Sequence, residues 1–225
     1  MPEERVVLMV ASEARELTGV LARCSEVRRM ALPVQFARSG RLNGMAIVAV
    51  AHGPGFELAA KAARVPVKAD AVVSTGSCGA LDPAFAPGEV FVAATVNGTP
   101  CDRPCTTRQY RAGKLVSVNR VVTTVAEKRA LEGAAVEMEA AAVAEAARER
   151  GARFYCVRAV MDAAGEGFAL DFNQLRDANG RFSPLRIVAA ALARPWAGIP
   201  ELLRLERRTR LCSQALGDFL GDCRF

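Results

Sequence analysis

The strongest constraint on this fold is the alternation of short, unbroken apolar runs with helix-like pieces. Residues 5–11, 45–51, 71–74 and 153–160 are β-rich runs with few polar interruptions. A strand that is apolar at nearly every position has both faces covered, so it belongs in a sheet layered on two sides. Residues 89–96 and the β-branched stretch 115–123 are two further predicted strands. Between the runs lie predicted helices. One opens at Ser12-Glu13 with Leu17, Val20 and Leu21 on one face, one spans 56–64, and one spans 137–150 and is ended by Gly151. From Pro184 onward the chain reads as mainly helical, punctuated by Pro195 and Pro200. The pattern predicts an α/β fold: a single-domain, three-layer αβα arrangement with a central mixed, largely parallel twisted sheet. Residues 1–225 form that one domain, with 184–225 as a mainly helical C-terminal extension. A length of 225 residues suits one such core.

Charge and cysteine usage narrow the partners. The formal net charge of +6 raises nucleic acid as a first thought. Yet only four of the 30 basic residues are lysine, and the excess gathers in residues 101–129 with little aromatic interleaving beyond Tyr110. Such a stretch reads as a solvated loop or an anion-facing site, so no nucleic-acid partner is expected. Seven irregularly spaced cysteines argue for reduced thiols and a cytoplasmic chain, and the acidic start MPEERVVLMV lacks the basic region of an export signal. The one close pair, Cys101 and Cys105, is far in sequence from the sole histidine, His52. No metal and no cofactor are therefore expected, and a Ser–His triad is disfavoured. No apolar run reaches the ~18 residues of a spanning helix.

In open α/β sheets, ligands collect beyond the carboxyl ends of the strands. Here the four apolar runs lead in turn into Glu13, Gly53-Pro54-Gly55, Gly76-Ser77-Cys78-Gly79 and Asp162. Glu137 and Glu139 precede the last strand. Taken singly, each has a plain structural reading. Gly53-x-Gly55 is either an anion-binding helix start or a tight turn. Glu13, Glu137 and Glu139 suit the first turn of a helix. Together they make a site of acids, small residues and backbone amides.

The stretch VVSTGSCGALDP at 72–83, with Gly88-Glu89-Val90 after it, resembles the signature of the purine and uridine phosphorylase superfamily. So does AVEMEAAAVA at 135–144, followed by VRAVMD at 157–162. The likeness runs from about residue 5 to 164 and is similar to the branch of methylthioadenosine/S-adenosylhomocysteine nucleosidase and futalosine hydrolase. LDFN at 170–173, DANGR at 177–181, the stretch from Pro184 to Pro195 and SVNRVVTTVAEK at 117–128 further resemble the hopanoid-associated phosphorylases. That group is understood to release adenine from adenosylhopane.

The resemblance implies cleavage of a ribosidic C–N bond through an oxocarbenium-like sugar. Asp162 would protonate the purine, Glu139 would grip ribose hydroxyls, and Glu13 would position the attacking water. Gly55, Ser77, Cys78, Gly79, Val121, Val122, Glu137, Met138 and Arg158 would line the substrate site. Hydrolysis is expected, with phosphate a co-substrate only in a phosphorylase, where Arg38, Arg41 or the basic loop would have to bind it. The alternatives are a methylthioadenosine/S-adenosylhomocysteine nucleosidase, a futalosine hydrolase, a phosphate-dependent purine nucleoside phosphorylase and a non-catalytic nucleoside-binding protein. The chain departs from the nucleosidase pattern at several positions: Met161 stands where serine is common, Cys78 where alanine is, and Val121 and Val122 where a base-stacking aromatic is common. The resemblance also implies a homo-oligomer. The leucine-rich C-terminal helices with the cluster Arg207, Arg208 and Arg210 are either interfacial, in contact with a membrane, or packed with a solvated basic face.

Overall fold

The computed structural model describes residues 5–177 and 179–225. The first four residues of the acidic start and Ala178 of the DANGR stretch lie outside the described residues. The chain opens with β1 (Val6–Ala11), a 3-10 turn (Ala14–Leu17) and the short α1 (Thr18–Leu21). There follow β2 (Ser25–Arg29), β3 (Phe36–Leu42), β4 (Met45–Ala51), α2 (Phe56–Ala63) and β5 (Ala71–Ala80). Next come β6 (Val90–Val96), β7 (Thr99–Pro100), β8 (Arg111–Ser117) and α3 (Val125–Arg129). The last elements are β9 (Ala135–Glu137), α4 (Ala140–Glu149), β10 (Arg153–Asp162), α5 (Pro184–Ala193) and α6 (Pro195–Leu220).

The sheet is mixed around a parallel centre. β4, β1, β5 and β10 run parallel side by side, and β3 and β2 add antiparallel strands at one edge. Burial on both faces follows from the unbroken apolar runs. Along β1, Leu8 and Val10 face one core with Ala59 and Ala62 of α2 and Val143 and Ala147 of α4. Val7, Met9 and Ala11 face the other, with Leu17, Val20 and Leu216, Phe219 and Leu220 of α6. The second half of α6 is thus a wall of the core rather than an appendage. Its crossing with α1 is close enough that a Cβ on Gly217 would strike the backbone of Gly19.

Beyond the centre the sheet curls shut. β5 bonds to β10 on one side and to β9 on the other, while β10, β6, β8 and β9 pair in turn. These five strands therefore close a ring. The expected helix over 137–150 is corrected by this closure. Residues 135–137 form β9, pairing Val136 with Gly79 and with Val116, and the helix begins only at Ala140. Likewise the expected strand over 115–123 starts at Arg111 and leaves the sheet after Ser117. β5 runs six residues past the expected Ser74, to Ala80.

Candidate active site

The carboxyl ends of β5 and β10 form the floor of a cavity of about 500 Å3. A β-bulge at Met161 shifts the register of β10, so that Val160 faces Cys78 and Asp162 faces Gly79. The bulge re-aims the strand end. Asp162 is buried, and its Oδ2 would lie 3.0 Å from a Cβ on Gly79, so a side chain there would press on the carboxylate. Burial pushes the Asp162 carboxyl above the usual range, while Lys128 opposes that shift. Lys128 is itself buried. Its Nζ donates to Asp162 Oδ2 and, at 2.7 Å, to Ala163 O. Lys128 closes the stretch 117–128, but nothing in the sequence assigns it a role. It takes the part of holding the acid that Met161 cannot.

Arg158 ties the acids of the next wall together. Its Nη2 donates to Glu137 Oε2 at 2.5 Å and to Ser74 Oγ at 2.7 Å, and its Nη1 stands 3.9 Å from Glu139 Oε2. Glu137 Oε2 also accepts from the backbone N–H groups of Glu139 and Ala140, both at 2.9 Å, at the start of α4. Glu137 Oε1 is buried without a partner among the described residues. An orphaned carboxylate oxygen on a cavity wall suits a hydroxyl donor on a ligand.

Glu139 is buried and accepts from the Gly55 N–H at 3.0 Å. Gly55 has a φ of 92°, and this left-handed turn points its N–H at the carboxylate. The Gly53-x-Gly55 turn thus binds the protein's own acid rather than an outside anion. Burial first, then the nearby Glu137, pushes the Glu139 carboxyl up to about 8, with Arg158 opposing. The folded chain then keeps a proton that the unfolded chain releases from about 4.5 upward. Stability from this group is full below that pH and is lost as pH rises towards about 8. Glu139→Gln is therefore expected to flatten the fall in Tm across that window, measured by thermal melts at a series of pH values.

Glu13 lines the cavity, but its carboxylate pairs with the exposed Arg15. A second acid, Glu16, lies three residues on and lines the same cavity. Glu16 Oε1 accepts from the N–H and the hydroxyl of Ser77, both at 2.8 Å. Its Oε2 accepts from the N–H groups of Ser12 and Glu13 at 3.1 and 3.2 Å, and from the Ser12 hydroxyl at 2.8 Å. Glu13 is the extended cap of the 3-10 turn, and a Glu three residues past a cap folds back onto the free donors there. A Cβ on Gly76 would lie 2.8 Å from Glu16 Oε1 and 2.9 Å from Arg158 Nη1. Glu16 and Arg158 thus meet over a residue that can only be glycine.

The far end of the cavity is apolar. Met161, Phe168, Phe172, Phe182, Ile187 and Leu202 line it. Phe172 stacks edge-on with both Phe168 and Phe182, at 5.6 and 6.0 Å between centroids. Ser77, Cys78, Gly79, Val121, Val122 and Met138 lie on the cavity wall, whereas Gly55 and Arg158 are not among its lining residues and stand behind Glu139 and Glu137. The Val121 backbone is bracketed by the Asn173 amide, which accepts from its N–H at 2.8 Å and donates to its carbonyl at 2.9 Å. Arg38 and Arg41 lie on β3 and do not line the cavity.

Three comparisons bear on this arrangement. The family model described as the phosphorylase superfamily matches residues 5–126 and 101–193. A 5′-methylthioadenosine/S-adenosylhomocysteine nucleosidase of Shewanella piezotolerans is 23% identical over 193 residues, which cover 67% of this chain and 83% of that protein. The solved structure of the same kind of nucleosidase from Streptococcus pneumoniae, bound to a transition-state inhibitor, superposes with a TM-score of 0.70 at 18% identity. That superposition covers 96% of this chain and 99% of the other. Futalosine hydrolase of Helicobacter pylori also gives a TM-score of 0.70, at 14% identity and 96% coverage of each chain. At these identities the two structural likenesses establish the fold. With a family match that spans most of its length, this chain belongs to the phosphorylase superfamily.

Proposed function

We propose that the chain cleaves the N-glycosidic bond of a 5′-substituted adenosine and releases adenine, with water as nucleophile. The observation that carries this reading is that Glu16, Glu137, Glu139 and Asp162 line one cavity of nucleoside size. They come from segments far apart in the sequence. Among the described residues, the buried cation on the cavity wall is Lys128, and Arg158 stands behind that wall, bonded to Glu137. An excess of carboxylates suits a sugar that becomes cationic as its bond to the base breaks.

In this reading Asp162 donates its proton to the leaving purine, and Lys128 holds it in position. Glu139 and the free oxygen of Glu137 take the ribose hydroxyls. Glu139 is held protonated at rest by its burial, and the positive charge growing on the sugar draws it towards the carboxylate form. Glu16, with Ser77, positions the water. Phosphate is disfavoured as nucleophile because the two arginines that line the cavity among the described residues are already engaged, Arg15 by Glu13 and Arg120 by Glu127.

The apolar end of the cavity supports a large, water-shunning 5′ substituent, and adenosylhopane is the substrate we propose. The test is adenine release from a panel of 5′-substituted adenosines, with and without phosphate. Turnover should need no phosphate and should rise with the size of the apolar substituent. Adenine binding without turnover of any member would make the chain a nucleoside-binding protein instead.

A further inference from the structure

Eight large apolar side chains stand exposed among the described residues, and six of them lie on α5 and the first half of α6. Leu185, Val188 and Leu192 recur at i, i+3 and i+7 on α5, and Trp196, Ile199 and Leu203 repeat that spacing on α6. Each helix therefore shows one apolar stripe to the outside. The exposures are large: 84% for Leu185, 78% for Trp196 and 67% for Leu203. The hairpin is firmly built, since α5 crosses α6 so closely that a Cβ on Gly198 would lie 2.9 Å from that of Ala191. Contiguous exposed apolar surface of this kind marks an interaction site.

The charges beside the stripes select the occupant. On this part of the chain Glu201 is taken by Arg204 and Glu206 by Arg210, while Arg208 is paired with Glu166. That leaves the exposed Arg186, Arg194 and Arg207 without a carboxylate partner among the described residues. Apolar stripes edged by unpaired arginines complement an anionic lipid surface. A second copy of the chain docked by a two-fold on this face would bring the same arginines against one another. Trp196, the chain's single tryptophan, has the ring that favours the boundary between water and acyl chains. None of the described helices is long and apolar enough to cross a membrane, so the fitting mode is a hairpin lying in the surface.

We propose that α5 and the first half of α6 form a docking surface for an anionic phospholipid bilayer. The stripes sit at the acyl boundary and Arg186, Arg194 and Arg207 lie among the headgroup phosphates. Ile187, Leu202 and Leu203 also line the cavity, so its apolar end opens beside the docked face. The docking rests on this surface alone. Only the passage of an apolar substrate from the bilayer into the cavity rests on the function proposed above.

The single tryptophan makes the test direct. Vesicles of phosphatidylcholine with about one third phosphatidylglycerol should shift the emission of Trp196 to the blue and sediment the protein, and pure phosphatidylcholine should do so far less. Leu192→Glu should abolish both effects while leaving adenine release from soluble methylthioadenosine unchanged. Arg194→Glu should weaken partitioning by about tenfold, and raised salt should weaken it in the wild type. Absence of any shift and sedimentation with the anionic vesicles would overturn the proposal. So would a wild-type dimer, seen by analytical ultracentrifugation, that Leu192→Glu converts to a monomer, if neither form binds vesicles. Neither outcome depends on what the cavity cleaves.

Discussion

Asp162→Asn should slow adenine release by about a hundredfold or more while the fold persists. The amide keeps an oxygen for the Lys128 ammonium but has no proton of the right acidity for a leaving purine. It also leaves Lys128 buried without a counter-charge, because Asp162 is the one carboxylate paired with it among the described residues. Breaking a buried pair from one side costs about 3–5 kcal/mol, so Tm should fall as well. The double variant Asp162→Asn with Lys128→Met removes the stranded charge. It should recover much of the lost Tm and none of the lost rate, which separates chemistry from folding.

The single variant Lys128→Met tests the assignment from the other side. Burial holds the Asp162 carboxyl high and Lys128 pulls it down, so removing the lysine lets it rise further. A reaction that needs the protonated acid loses rate as pH climbs through that pKa. The alkaline limb of the pH–rate profile should therefore move to higher pH in Lys128→Met. Near-wild-type turnover by Asp162→Asn would remove Asp162 from the proposed chemistry.

The sequence makes legible what short-range pattern dictates. The runs over β1, β4 and β10 are apolar at successive positions because those strands are covered by α2 and α4 on one face and by α6 on the other. Asp162 and Ser77 could be found because strand ends in such sheets carry ligands. The ring closure was hidden because β9 is three residues long and continues into a helix-forming run of alanines. Its strand character comes from pairing with β5 and β8, which no local propensity encodes. Lys128 looked like one more charge in a basic stretch. The capping box of Thr124 and Glu127 that starts α3 was readable, but the docking that buries Lys128 against the end of β10 is tertiary. The leucines of the C-terminal helices split the same way. Leu216 and Leu220 are core, and the exposed stripes begin earlier, at Leu185.

Glu16→Gln should lower kcat by about a hundredfold, and Glu13→Gln by less than about threefold, when adenine release is assayed without phosphate. The difference follows from where the two carboxylates point. Glu13 is partly exposed and spends its charge on Arg15, so its amide changes little inside the cavity. Glu16 receives donors at both oxygens, from Ser77 on one side and from Ser12 and Glu13 on the other. An amide can face only one of those sets with oxygen. Its nitrogen then meets N–H and O–H groups, and Ser77 or the 3-10 turn must shift. Ser12→Ala removes one donor, the hydroxyl, from the outer oxygen alone, so it should lower Tm without the loss in kcat. If Glu16→Gln instead keeps full activity while added phosphate accelerates the wild type, the nucleophile is phosphate and Glu16 only holds the turn together. If Glu13→Gln is the damaging change, the turn must rearrange when substrate binds, freeing the Glu13 carboxylate from Arg15 to face the sugar.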